Sequence, residues 1–175
     1  RDGLAAGADG MMTAHIVFPA LEPADGIPST LSAAVVDGVI RQEFGFEGLV
    51  FTDSMQMGAV ADRWPAAEAA VHAIAAGNDV VLHPADAVAA FEGVRAAVAE
   101  GVLSPQRIRE SATRVLEAKA RLGLHESRLV DLDALPARVG GRDHAAIADR
   151  ASERAMTLVA DARGDVPLRL PPDAE

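Results

Sequence analysis

Three short apolar runs, each ending on a polar tip and each followed by a helical pattern that a glycine closes, constrain the fold of this chain more than anything else in it. The runs are Gly10 to Pro19, Gly48 to Asp53 and Asp79 to Pro84. A brief, almost continuously apolar segment bounded by Gly and Pro is what a strand buried on both faces looks like. After the first run comes a loop with prolines at 19, 23 and 28, long enough to be a candidate functional loop. Ser32 is expected to cap a helix with Val36, Val39, Ile40 and Phe44 on one face, Gly45 to end it in the left-handed conformation, and Phe46 to fold back on its last turn. After the second run, Pro65 suits a first helical turn, and an Ala-rich helix with Val71 and Ile74 ends at Gly77. A helix with Val88, Phe91, Val94 and Val98 stops at Gly101. Ser104-Pro105 then opens a strongly amphipathic helix with Ile108, Ala112, Val115, Leu116 and Leu122 on one face, closed by Gly123. Alternation at intervals of roughly thirty to forty residues predicts right-handed βαβ crossovers and a parallel sheet.

Three strands are too few for a free-standing sheet of this kind. A complete (β/α)8 barrel takes about 250 residues, so the predicted fold class is α/β, with residues 1–124 as the closing portion of a TIM-type barrel. From His125 the texture changes. Irregular charges, Pro136 and Gly140-Gly141 predict a linker over 125–142, and Asp143 is expected to cap a helix through Ile147 and Ala151. Met156 to Ala160 and Val166 to Leu170 are strand candidates around Arg163-Gly164-Asp165, which makes 143–175 the first elements of a second α/β domain. The chain opens on Arg1 and closes on Leu170 to Glu175 without a capping pattern, so both ends are expected to be cuts in a longer polypeptide.

Half of the 175 residues are hydrophobic and 24% are charged, which is ample core material for a globular protein. A net charge of -10 with no cluster of arginines argues against a nucleic-acid partner, because phosphate binding needs a basic face. The absence of Cys excludes disulfides and thiolate chemistry. No apolar run approaches the roughly 20 residues of a membrane span, and localisation stays open.

Chemistry centres on Val50-Phe51-Thr52-Asp53-Ser54-Met55-Gln56-Met57. Its acid stands at the carboxyl edge of a parallel sheet, where ligands bind in α/β folds. Taken alone, Asp53 is better read as a cap or turn former for the next helix. Its company shifts that balance: His15 stands near the tip of the preceding strand and His83 near the tip of the following one, so three polar groups are expected at one mouth. Two histidines and a carboxylate also suit a metal, but strand-tip positions supply no short ligand spacing, and no metal or cofactor is expected. Met55 and Met57 read as core or rim filler. Trp64 is the only Trp and there is no Tyr, so sugar-stacking platforms are scarce.

Three blocks in fixed order, Met11 to Leu21, Pro28 to Ser32 and Ile40 to Met57, closely resemble the β-N-acetylhexosaminidases of glycoside hydrolase family 3. The resemblance implies that Asp53 is the catalytic nucleophile of a retaining glycosidase and that His15 and Met57 line the substrate site. It places the proton donor, an Asp-His pair, in a loop upstream of the His15 strand, and nothing matching that loop stands in this sequence. Past the linker, Thr157-Leu158-Val159 and Val166-Pro167-Leu168 look like the opening hairpin of the family's α/β sandwich domain. Related β-glucosidases usually carry Trp directly after the nucleophile and lack the Met-Thr-Ala-His block. Ser54 and His15 therefore favour an N-acetylhexosaminide over a glucoside. The implied activity is removal of terminal β-N-acetylglucosamine, with cell-wall fragments as the implied source, and hydrolysis and transfer to phosphate are not separated. A non-catalytic sugar-binding module is the alternative of a different class. A lyase or aldolase would want a strand-end Lys, whereas Lys119 is the only Lys and lies in a predicted helix.

Overall fold

The computed structural model describes residues 2–24, 26–162 and 164, which form two compact units divided between Glu126 and Ser127. In the first unit, β1 (Gly10–Met12) and β2 (Leu49–Phe51) pair in parallel, with Gly10 opposite Leu49 and Met12 opposite Phe51. On the other edge of β2, Val80 bridges Phe51, also in parallel. The order is therefore β1, β2, then the segment around Val80, with β2 in the middle. Val50, the central residue of β2, is fully buried.

The expected first strand is cut short. Thr13 N–H donates to Phe51 O as a last rung, and beyond it the chain turns so that Leu21 and Glu22 N–H both donate to Phe18 O. Ile16, Val17 and Phe18 are exposed, and within β1 Met12 is exposed and Met11 half-buried, so burial on both faces is not what these residues have. The third run is likewise a single bridge and not a strand. Asp79 explains part of this, because its carboxylate accepts the Val50 N–H at 3.0 Å in place of a ladder carbonyl. His83, with φ of 51°, and Pro84 then turn the backbone away.

A 3-10 turn (Ser29–Leu31) leads into a helix over Ala34–Glu43 wound as a π-helix. Ser32 Oγ accepts from Val35 N–H at its start, Val36 and Ile40 are buried, and Gly45 ends it with φ of 63°. Phe46 folds back as expected, with its N–H on Ile40 O. It joins Val36, Ile40, Val50 and Ala76 in one core cluster.

Helix α1 (Asp2–Ala5) precedes β1, and α2 (Gly58–Ala61) follows β2. Helices α3 (Ala66–Ala76) and α4 (Ala87–Ala99) pack closely through small residues. A Cβ added at Gly93 would lie 2.7 Å from Ala67 Cβ and 2.9 Å from Ala67 O, so only glycine permits this approach. The expected face of α4 is half met, with Val94 and Val98 partly buried against the core. Ala90 and Ala97 are buried, while Val88 and Phe91 stand in solvent.

Helix α5 (Pro105–Arg121) begins as predicted, with Ser104 Oγ accepting from Arg107 N–H. Its inward face differs: Ile108 packs on the core, but Leu116 and Leu122 are exposed, and the residues turned inward are Arg107, Ser111 and Arg114. Their target is Asp79, whose side chain is fully buried. Asp79 Oδ1 accepts from Ser111 Oγ at 2.7 Å and Arg114 Nη1 at 3.0 Å, and Oδ2 accepts from Arg41 and Val50 N–H. Burial pushes the Asp79 carboxyl up, but Val50 N–H, Ser111, Arg41 and Arg114 together outweigh it and hold it below its ordinary value. Burial lowers Arg41, against the pull of Asp79, and Arg114 and Arg107 act in the same direction as burial.

The second unit holds α6 (Leu135–Arg138) and α7 (Arg142–Ala155). Gly141 is the N-cap of α7, and Asp143 sits in its first turn instead of capping it. Met156 to Ala160 has no ladder partner among the described residues. The Val166 to Leu170 candidate lies outside them.

Candidate functional site at the carboxyl end of the second strand

Thr52 and Asp53 follow β2 directly. Thr52 is buried, and its Oγ1 accepts the Leu82 N–H at 2.8 Å. Asp53 is half-buried. Its Oδ1 accepts the N–H of Ser54 at 2.7 Å, a short side-chain-to-backbone bond that fixes the carboxylate relative to the turn. Met55 then enters the core, and its N–H donates to Leu82 O.

His15 reaches this turn from the β1 side. Its Nε2 lies 2.9 Å from Ser54 O and its Nδ1 2.9 Å from Thr30 Oγ1. A carbonyl only accepts, so Nε2 carries the proton, and in the neutral ring Nδ1 takes the hydroxyl proton of Thr30. Thr13 Oγ1 lies 3.2 Å from Thr30 Oγ1, and its single proton also has Phe51 O at 3.2 Å and Asn78 Oδ1 at 3.4 Å as acceptors. The chain Thr30, His15, Ser54 therefore donates in one direction, ending on the residue after Asp53. Below it, the buried Asn78 donates through Nδ2 to Thr30 O and Ala73 O, both at 2.8 Å. Among the described residues, every buried side-chain nitrogen and oxygen has a partner. A satisfied polar network under a half-exposed acid holds it rigidly.

His83 approaches from the other side, its Nδ1 3.1 Å from Ser54 Oγ. The three strand-tip groups named in the sequence thus meet at Ser54. Among the described residues, no group of three His, Cys, Asp or Glu side chains could hold a metal. Met57 precedes α2 on the rim and is about half exposed. Sequence reasoning passed over Thr13, Thr30 and Asn78, and took Ser54 only as a mark of substrate preference. The two threonines lie in the blocks that carry the family resemblance but had no role assigned, and Asn78 had only its place after the helix-ending Gly77 as a signal.

A buried hydroxyl and amide network carrying one half-exposed carboxylate at the carboxyl end of parallel strands defines an α/β protein with a strand-edge acid site. Residues 1–118 match the model of the glycosyl hydrolase family 3 N terminal domain. The chain belongs to glycosyl hydrolase family 3. It is 32% identical over 176 residues to a beta-N-acetylglucosaminidase/beta-glucosidase from Cellulomonas fimi, covering 96% of this chain and 31% of that protein. Its fold is similar to a glycoside hydrolase family 3 beta-N-acetylglucosaminidase from Paenibacillus sp. str. FPU-7, with a TM-score of 0.74 and 34% identity over 87% of this chain and 29% of that one. A beta-glucoside phosphorylase structure matches with a TM-score of 0.77 at 29% identity, over 94% of this chain and 32% of that one. The chain thus spans about a third of the length of these relatives.

Proposed function

We propose that this chain carries the nucleophile half of a retaining β-N-acetylhexosaminidase, with Asp53 attacking the anomeric carbon of a terminal β-N-acetylglucosaminide. The observation that carries the reading is the setting of Asp53: a half-exposed carboxylate at the carboxyl end of β2, with one oxygen held by Ser54 N–H. A retaining mechanism needs a carboxylate fixed for attack and a second group that protonates the leaving oxygen. Asp53 forms the glycosyl-enzyme bond as the glycosidic bond breaks, and water then releases the sugar. His15 positions the turn, Met57 lines the rim, and no cofactor takes part.

Two further points belong to this reading. The parallel strands are part of a (β/α)8 barrel, with residues 1–124 in it, 125–142 as a linker and 143–175 beginning a second α/β domain. The proton donor comes from sequence outside these residues, so the 175-residue chain alone does not turn over substrate. Among the described residues no helix is long and apolar enough to cross a membrane, and the partner is a carbohydrate. The likeness to a phosphorylase supports a second outcome for the same intermediate, in which phosphate replaces water as acceptor.

The test is to treat the protein expressed from the whole coding sequence with a fluorinated N-acetylglucosaminide analogue, digest it, and locate the label by mass spectrometry. A label on Asp53 is expected, and a label on any other residue refutes the assignment. Appreciable turnover of an aryl β-N-acetylglucosaminide by the isolated 175-residue chain would refute the claim that the chain lacks its proton donor.

A further inference from the structure

His83 has no part in the mechanism above, yet its geometry sets it apart. It is the only non-glycine among the described residues with positive φ, at 51°. That region is sparsely populated by residues with a side chain, and such residues cluster at functional sites when the surroundings enforce them. The conformation brings the ring beside Ser54, with Nδ1 3.1 Å from Oγ.

Ser54 is thereby tied at all three of its polar groups, each to a different residue. Its N–H donates to Asp53 Oδ1 at 2.7 Å, its carbonyl accepts from His15 Nε2 at 2.9 Å, and its hydroxyl pairs with His83. A residue held at amide, carbonyl and side chain cannot rotate about its Cα, so the direction of its N–H is set. That N–H is the one hydrogen bond Asp53 accepts among the described residues, and it decides which carboxylate oxygen is left to react. His15 alone fixes only the carbonyl side of the turn. His83 supplies the remaining constraint from the third apolar run, across the turn from His15.

We propose that His83 is a positioning residue for Asp53, acting through the Ser54 hydroxyl to fix the attacking oxygen. The proposal rests on the reading of Asp53 as nucleophile and adds the device that aims it. Positioning of this sort acts on the bond-forming step, where a small misplacement of a reacting group is expensive in rate.

The experiment uses the protein expressed from the whole coding sequence and measures the rate at which the fluorinated analogue labels Asp53, together with the melting temperature. Three variants separate strain from hydrogen bonding. His83→Gly keeps the backbone conformation easily and removes the ring. His83→Asn tolerates the same backbone and keeps a polar atom near the Nδ1 position. Ser54→Ala removes the other partner. Labelling is expected to slow about tenfold in His83→Gly and in Ser54→Ala, to stay within about threefold in His83→Asn, and to slow no further in the Ser54→Ala/His83→Gly pair, with melting unchanged in His83→Gly. Labelling of His83→Gly at the unmutated rate overturns the proposal while leaving Asp53 as nucleophile. So does additive slowing in the double variant, which means that the two residues act separately. Failure of the unmutated protein to label at Asp53 overturns the nucleophile reading itself, and this proposal with it.

Discussion

Asp79→Asn tests the energetic centre of the first unit. The Asp79 side chain is fully buried and faces Arg41, Arg107 and Arg114, whose side chains are 12%, 18% and 29% exposed. Asparagine preserves the volume and one acceptor oxygen but removes the charge and turns an NH2 group toward donors. Val50 N–H, Ser111 Oγ and the guanidinium groups then compete for one oxygen where the carboxylate offered two. Removing one partner of a buried ion pair typically costs about 3–5 kcal/mol, because the remaining charge stays buried without compensation. Against a total stability of roughly 5–15 kcal/mol, that is a large fraction. The reverse change is expected to be mild: Arg114→Met removes the most exposed of the three cations and leaves Asp79 with Arg41, Arg107, Ser111 and Val50 N–H, at about 1 kcal/mol or less. Urea unfolding followed by circular dichroism reads both. A loss below about 1 kcal/mol for Asp79→Asn, or a larger loss for Arg114→Met than for Asp79→Asn, would refute the argument that the buried carboxylate organises the cluster.

The same carboxylate sets an acid limit. Its folded pKa lies below its ordinary value, so its contribution is complete above the unfolded Asp value of about 3.9 and is lost as pH falls through the folded value. Melting temperature should therefore fall more steeply below about pH 4 in the native chain than in Asp79→Asn, and parallel curves would contradict this. Gly93→Val should destabilise by about 1–3 kcal/mol, since its Cβ would stand 2.7 Å from Ala67 Cβ and 2.9 Å from Ala67 O; an unchanged urea midpoint argues against the close seam of α3 and α4. Asn78→Ala removes the side-chain donor of the Thr30 carbonyl, while the Ala73 carbonyl keeps the Asn78 and Gly77 N–H groups, and it should cost about 1–3 kcal/mol, read by chemical denaturation, with a value near zero refuting the network. Asp53→Asn should abolish labelling by the fluorinated analogue while melting stays within a few degrees, and retained labelling would refute its role.

What was legible in the sequence is mostly punctuation. Gly45, Gly77, Gly101 and Gly123 all take positive φ at the helix ends where the pattern placed them, and Ser104-Pro105 opens α5, because caps and terminators act within one turn of backbone. Strand lengths were not legible. Each strand depends on a partner distant in sequence, and Asp79 breaks its own ladder with a side chain. The inward face of α5 was misjudged for a related reason. Arg107, Ser111 and Arg114 look like a solvated stripe until a buried acid from another element stands opposite, while Leu116 and Leu122 look like core. At the site, periodicity placed His15, Asp53 and His83 at strand tips, and they do meet at one turn. That Ser54 is the residue they share follows from atomic directions that no residue pattern encodes.

The winding of the helix over Ala34–Glu43 carries a consequence for the cation that meets Asp79. In an α-helix, a residue five positions on is rotated by about 140°, so Arg41 would lie well round from Val36. The wider π winding reduces that angle and swings Arg41 back toward the face that buries Val36 and Ile40. From there it spans Phe46 O, Gly48 O and the Asp79 carboxylate. The loosened coil thus works as a gear between helix and sheet: relaxed to α winding at its full length, the segment would rotate Arg41 outward and uncouple the helix from the sheet at Asp79, whereas deleting one residue between Val36 and Ile40 would set Arg41 four positions from Val36, about 40° away, and keep it on that face.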